Sequence, residues 1–373
     1  MKKVMLIFGT RPEAIKMCPL IRELKTRRGI STSVCVTGQH RHMLDSVLEE
    51  FGVTPDVDLD IMTDAQSLND ITAAVLSRLK PVLCAEKPDL VLVHGDTTTA
   101  FAAALACFYM QIPVGHVEAG LRTYDNTAPY PEEFNRQAIG AMSSIHFAPT
   151  DNARDNLLRE GKKPDTVFVT GNTVIDAMKL TAGTDTQAAE TAGRLILITA
   201  HRRESIGEPL CGMLRAIRRV MDEHPDVFAV YPVHPNPAVR ESVYKELGGC
   251  ERIHLTDTLS AGELHRLEAD CYLCLTDSGG IQEECAAIGK PVLVMRDVTE
   301  RTELIKNGSA QLSGTDEQAI YESFMGLLDD PAAYAALAGK RYPCGDGDAS
   351  RRIADVLEYG SCDEWSAEKE IKQ

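Results

Sequence analysis

Leu90-Val91-Leu92-Val93-His94-Gly95-Asp96 and its companion Pro113-Val114-Gly115-His116-Val117-Glu118 decide how this chain reads. Each is a short apolar run, dense in β-branched residues, that ends in a carboxylate. Such runs predict strands buried on both faces of a parallel sheet. In open parallel sheets, ligands sit outside the carboxyl ends of the strands. Asp96 and Glu118 are therefore expected as neighbours at one rim. Pro131-Glu132-Glu133 adds a third acid just downstream. Several carboxylates at one strand rim predict proton-transfer chemistry.

Outward from this centre, strand and helix alternate. Strands are expected at 4–10, 33–36, 90–95, 113–117, 144–148 and 166–169. Pro12 fits the first turn of a helix reaching about Leu24. Ser67-Leu68-Asn69-Asp70 resembles a capping box with Asp in place of Glu, opening a helix with apolar positions Leu68, Ile71, Val75 and Leu79. A second set of strands follows at 195–199, 227–231, 253–255, 272–275 and 292–295. This is the βαβ pattern of doubly wound α/β sheets. It predicts two Rossmann-like domains, residues 1–172 and 173–348, with polar rims facing one cleft. A last helix begins near 349, and 361–373 reads as frayed.

The chain of 373 residues is long enough for two such cores. Its net charge of −16 argues against a general nucleic-acid or anionic-membrane surface, but not against a small anionic ligand held by local cations. No run is apolar for long enough to span a bilayer, and the start lacks a secretory core, so a cytoplasmic protein is expected. Eleven cysteines, mostly within apolar runs, read as reduced core residues.

Thr276-Asp277-Ser278-Gly279-Gly280 lies between a strand and a helix. Two glycines let backbone approach an anion, and the helix N-terminus supplies N–H donors. The plainer alternative is an ordinary turn. There is no Gly-x-Gly-x-x-Gly fingerprint and no Walker loop, so neither a nicotinamide dinucleotide nor ATP hydrolysis is supported. Arg11 and Lys16 in Gly9-Thr10-Arg11-Pro12-Glu13-Ala14-Ile15-Lys16 are candidate phosphate cations, as are His201-Arg202-Arg203 and, more weakly, Arg301. The alternative is a solvated helix start for Arg11 and Lys16, and a solvated charge run for His201-Arg202-Arg203-Glu204. For Asp96 the rival role is a helix cap. Cys271 and Cys274 have zinc-like spacing but no second pair, and three residues apart on a strand they face opposite sides. No metal site is assigned.

These motifs together resemble the bacterial non-hydrolysing UDP-N-acetylglucosamine 2-epimerases. GTRPEAIKMCPL from Gly9, VHGDTTTAFAAALACFY from Val93, PVGHVEAGLRT from Pro113 and YPEEFNRQ from Tyr130 carry the likeness in the first half. TAHRRES from Thr199, YPVHPNPAVR from Tyr231, LTDSGGIQEE from Leu275 and GKPVLVMRDVTERTE from Gly289 carry it in the second. The resemblance implies the GT-B architecture, a C-terminal helix returning to the first domain, and a homodimer. It implies conversion of UDP-N-acetylglucosamine to UDP-N-acetylmannosamine without a cofactor, in cell-envelope polysaccharide biosynthesis. It assigns Asp96, Glu118, Glu132 and His201 to catalysis. Arg11, Lys16, Ser278, Glu284 and Arg301 go to UDP, with Gly279 and Gly280 in the same turn. Some members bind a second substrate molecule as activator; Gln39, Gln66, Glu132, Arg202 and His234 fit that pattern. His42 and Ala65 stand where those members carry Gln and Arg, which predicts altered or lost activation. Thr302 stands where members commonly have Pro after the matched Arg301, and Leu304-Ile305-Lys306-Asn307 replaces a smaller stretch.

Three other readings compete. A GT-B glycosyltransferase would share the nucleotide half but would not need three acids on separate loops. A hydrolysing epimerase would release free sugar. A UDP-sugar-binding regulator would not need intact acids.

Overall fold

The computed structural model describes residues 1–38, 41–63, 66–181, 193–202, 205–340 and 344–366, with 41 and 42 in backbone only. The chain forms two compact units, 1–180 with 344–373, and 181–343.

The first unit runs β1 (Lys2–Phe8), α1 (Arg11–Thr26), β2 (Ile30–Val36), α2 (Arg41–Glu50), β3 (Val57–Asp58), α3 (Leu68–Glu86), β4 (Leu90–His94) and α4 (Thr98–Tyr109). It continues with β5 (Val114–Val117), α5 (Glu132–Met142), β6 (Ile145–Ala148), α6 (Asp151–Arg159), β7 (Val167–Val169) and α7 (Thr173–Thr181). All strands are parallel, in the order β3-β2-β1-β4-β5-β6-β7. Every residue of β4 and β5 is buried, as expected of central strands covered on both faces. On one face, Met5, Ile7, Val91 and Val93 pack on α3 through Ile71, Val75, Leu79 and Leu83, and on α4 through Ala100, Ala103, Ala104 and Cys107. The alanines of α4 let it lie close to sheet and neighbour. Each fully buried Val, Leu or Ile contributes about 1.5–3 kcal/mol. The expected box at Ser67 is present: Asp70 N–H donates to Ser67 Oγ at 3.2 Å, and Ser67 N–H donates to Asp70 Oδ2 at 2.9 Å.

The second unit runs β8 (Arg194–Thr199), α8 (Glu208–Glu223), β9 (Val227–Pro232), α9 (Pro237–Leu247), β10 (Ile253–Thr256), α10 (Ala261–Asp270), β11 (Leu273–Thr276) and α11 (Gly279–Ala287). There follow β12 (Val292–Val294), α12 (Thr302–Asn307), β13 (Ala310–Leu312), α13 (Glu317–Asp329) and α14 (Pro331–Leu337). The parallel order is β10-β9-β8-β11-β12-β13. α15 (Ala349–Tyr359) belongs to the first unit, where it packs on α1.

The structure moves several sequence expectations. The boundary falls after α7 rather than at 172/173. Asp176 of α7 is buried and accepts the Ala349 and Ser350 N–H groups at 3.2 and 2.7 Å, so it caps α15. The segment 361–366 is not frayed: Trp365 is buried, and its N–H donates to Val169 O at 2.9 Å. Residues 367–373 lie outside the described part. The short edge strands β3 and β13 are too brief for a period to register in sequence. β1 ends at Phe8 because Glu13 draws the Gly9 and Thr10 N–H groups into the helix start, at 3.1 and 2.8 Å.

Candidate active site

In each sheet the strand order reverses beside the first strand, between β1 and β4 and between β8 and β11. Loops leaving these two switch points are where α/β sheets hold ligands. Both carry the residues singled out in the sequence.

In the first unit, close backbone packing shapes the rim. A Cβ on Gly9 would stand 1.9 Å from Thr37 Oγ1, so only glycine fits there. Gly95 takes a φ of +62° and turns the chain out of β4 towards Asp96. The buried His116 holds that turn by donating from Nε2 to Gly95 O at 2.7 Å. The cap of α4 is Thr97, whose Oγ1 accepts the Ala100 N–H at 3.0 Å. Thr97 also donates to Glu13 Oε1 at 2.8 Å. Capping is thus not the task of Asp96. Burial raises the carboxyl pKa of Glu13 against these several hydrogen bonds, and Glu13 ties the loops after β1 and β4 together.

Glu118 leaves β5 with a φ of +62°. That left-handed conformation costs a residue with a side chain about 1–2 kcal/mol. Its carboxylate lies beside the Gly95 loop, where a Cβ on Gly95 would stand 3.6 Å from Oε1. Lys16 of α1 donates to Glu118 Oε2, Asn172 Nδ2 donates to the same oxygen at 2.8 Å, and His94 Nε2 stands 3.8 Å away. Lys16, which the sequence reading expects on the nucleotide, has its ammonium on this acid, and both groups are buried. Arg11 opens α1 one turn earlier.

α5 brings the third acid. Glu132 is its first residue, and Asn135 and Arg136 follow on the same helix face. Asn135 Nδ2 donates to Asp96 O at 2.9 Å, and Arg136 Nη2 donates to Asp96 Oδ2 at 2.6 Å. Glu133 has a different duty: it accepts the Thr123 and Tyr124 N–H groups at 2.9 and 3.0 Å and anchors the preceding loop. Asp96 and Glu118 thus meet at the Gly95 turn, and α5, which opens at Glu132, reaches Asp96 through Asn135 and Arg136. Sequence reasoning missed Arg136 and Asn172 as their partners. Arg136 was reachable, since a helix starting at Glu132 presents its third- and fourth-next residues alongside.

In the second unit Asp277 ties the two loops of the switch point. It is fully buried and accepts the His201 and Arg202 N–H groups at 2.7 and 2.8 Å. The His201 ring stacks on His234, with centroids 5.0 Å apart and planes 7° from parallel. The Ser278-Gly279-Gly280 turn opens α11 without a side-chain cap from Ser278, whose own N–H donates to Thr276 Oγ1 at 2.9 Å. A Cβ on Gly279 would stand 2.6 Å from Arg301 Nη1, so the glycine lets the guanidinium lie flat against the turn. Arg301 is buried, bonds to Glu300, and lies 3.4 Å from Glu283. Glu300 also faces Arg296 and Arg202, at 3.2 and 3.8 Å. Where Thr302 and Leu304–Asn307 depart from the family pattern, the chain forms α12, ended by Gly308 with a φ of +76°. Glu284 is buried on α11, one turn beyond Gly280.

Of the residues expected in an activator site, Arg202 and His234 sit by His201, and Gln66 of the first unit donates from Nε2 to Ile61 O at 2.7 Å. Gln39 and Ala65, and the side chain of His42, lie outside the described residues.

A family model described as UDP-N-acetylglucosamine 2-epimerase matches residues 22–358. A UDP-N-acetylglucosamine 2-epimerase of Bacillus subtilis is 53% identical over 95% of this chain and 94% of its own length. Among solved structures, the S. aureus MnaA–UDP co-structure superposes with a TM-score of 0.93 at 49% identity, covering 96% of this chain and 97% of the other. A UDP-GlcNAc 2-epimerase from Neisseria meningitidis bound to UDP-GlcNAc gives 0.91 at 45% identity, covering 95% and 99%. The two-sheet α/β fold is of the GT-B class.

Proposed function

This chain belongs to the UDP-N-acetylglucosamine 2-epimerase family, a family of isomerases, and from that premise we propose that it interconverts UDP-N-acetylglucosamine and UDP-N-acetylmannosamine by elimination and re-addition of UDP. What supports the reading is that Asp96 and Glu118 lie at the Gly95 turn, held by Arg136 and Lys16, with Glu132 opening the helix that carries Arg136.

The hydrogen on sugar carbon 2 is not acidic, because its neighbour is an amide nitrogen that offers no enolate. Elimination avoids a free carbanion. A carboxylate takes the carbon 2 proton while the anomeric C–O bond breaks, its electron pair leaves with UDP, and a C1=C2 double bond forms. The products are 2-acetamidoglucal and UDP. Protonation of carbon 2 from the opposite face and return of UDP to carbon 1 give the epimer. No electrons are gained or lost overall. A base and an acid must flank the ring, which is what acids from separate loops supply.

Negative charge grows on the departing diphosphate. We assign its stabilisation to Arg11, Arg301, the Ser278-Gly279-Gly280 turn and His201, and assign Glu284 to the ribose hydroxyls. Lys16 holds Glu118 in place. Asp277 sets the backbone that carries His201. Arg202, His234 and Gln66 remain candidates for an activator site.

We further propose a homodimer. Exposed Phe108 and Tyr109, with ring centroids 6.2 Å apart on α4, and exposed Phe134 on the neighbouring α5 support it, since exposed apolar patches mark interfaces. Eleven unpaired cysteines, most of them buried, support a reducing, cytoplasmic location. Among the described residues no helix is long and apolar enough to cross a membrane. The product fits a donor for polysaccharide synthesis.

Proton NMR of UDP-N-acetylglucosamine incubated with the enzyme and no acceptor should show UDP-N-acetylmannosamine appearing. Free N-acetylmannosamine as the main product would establish the hydrolysing reading instead. Inertness without an acceptor would overturn the epimerase reading.

A further inference from the structure

Two helices of the second unit bring together three ligand-type groups that the reaction above does not need as a set. His265 and Glu268 lie three residues apart on α10 and so share one face. Glu284 on α11 meets that face. One nitrogen and two carboxylate oxygens, one from each residue, lie within 4.8 Å of one another, and all three residues are buried. Glu268 is fully buried, and among the described residues no hydrogen-bond partner reaches either of its oxygens. Two carboxylates so close, one of them fully buried, cannot both stay ionised unless a cation joins them; without one, burial and the Glu284 charge push Glu268 up so that it holds a proton. One ring nitrogen of His265 has a partner on α7. Its Nδ1 is 2.5 Å from Thr181 Oγ1. With Nδ1–H donating to Thr181, Nε2 carries the lone pair, as metal-bound histidines are commonly arranged.

We propose that His265, Glu268 and Glu284 bind one divalent transition-metal ion of the zinc class. The two carboxylates balance the charge of the ion. One imidazole nitrogen with two carboxylate oxygens suits zinc or its neighbours better than magnesium, which prefers an all-oxygen shell, or copper(I), which prefers sulfur. Cys271 is close by, its Sγ donating to Glu268 O at 3.3 Å, but that hydrogen bond directs it to backbone. Glu284 is also the residue assigned above to the ribose hydroxyls, so the titration that tests the metal is made without nucleotide and the two assignments are read apart.

The test uses the full chain, stripped of metal by chelator and dialysed. Calorimetric titration with Zn²⁺ alone should show one saturable equivalent, with a raised Tm. Glu268→Gln and His265→Asn should each lose that equivalent or weaken it by at least about 10-fold. If one variant does not fold, the other decides. The Co²⁺-loaded protein should show d–d bands without a thiolate charge-transfer band. Absence of saturable binding by the wild type, binding unchanged in the folded variants, or a strong thiolate band would each overturn the proposal.

Discussion

Asp96 and Glu118 are both carboxylates at strand ends, yet they are held differently. Arg136 and the Gly95 turn orient Asp96, while Lys16 and Asn172 clamp Glu118 in a left-handed backbone conformation. Such conformations persist where the surroundings impose them, often at functional positions. If Asp96 moves a proton, Asp96→Asn keeps an oxygen for Arg136 but loses the base. Its kcat should fall by about 10²–10⁴ while UDP affinity stays close to that of the wild type. Steady-state kinetics with calorimetric UDP titration checks this, and a fully active variant would remove the assignment. Lys16 separates two roles. Serving Glu118, its replacement in Lys16→Met lowers kcat with the Kd for UDP within a factor of about three. A Lys16 on the diphosphate would instead raise that Kd about 10–100-fold, the worth of a charge-assisted hydrogen bond.

At the scale of elements, strand–turn–helix units do the positioning. The turn from β11 into α11 is built around Gly279, against which Arg301 lies. In Gly279→Ala the new methyl would displace the guanidinium, and UDP affinity should drop by about 10–100-fold with little change in Tm. A Kd equal to the wild type would show that Arg301 does not serve the nucleotide from this position. Such units were legible in the sequence because their signals are local. The apolar runs at 90–94 and 114–117, the box at Ser67 and the glycines of 279–280 all declare themselves within a few residues. Where pairing is tertiary, legibility stopped. Asp176 caps a helix whose first residue is Ala349, so the domain boundary was placed too early. Trp365 packs against a strand far back in the chain, and so the tail looked frayed. Asn172 and Lys16 meet Glu118 only because one sheet brings the ends of β1, β5 and β7 to the same rim. The His265, Glu268 and Glu284 set is spread over two helices with a strand between them.

For the whole molecule, two buried histidines of the first unit couple stability to pH. Burial pushes His116 down to about 3, and burial with the nearby Lys162 and Arg122 charges pushes His146 down to about 4. Their folded values lie below the unfolded one of about 6.5, so the unfolded chain takes up more protons between these limits. Their contribution is complete above about pH 6.5 and is lost as pH falls towards 4 and 3. Each histidine then costs about 1.4 kcal/mol per pH unit within that window. Tm should fall accordingly, and His116→Gln should flatten the slope; an unchanged slope would contradict the buried, neutral ring. The same His116 holds the Gly95 turn, so stability and the placement of Asp96 share one side chain. In the proposed reaction carbon 2 exchanges its proton with groups of the enzyme. Its most direct test is turnover of UDP-N-acetylglucosamine in heavy water, read by NMR and mass. The account predicts deuterium at carbon 2 of both UDP-sugars at equilibrium. Epimerised product that keeps its original hydrogen there would contradict it.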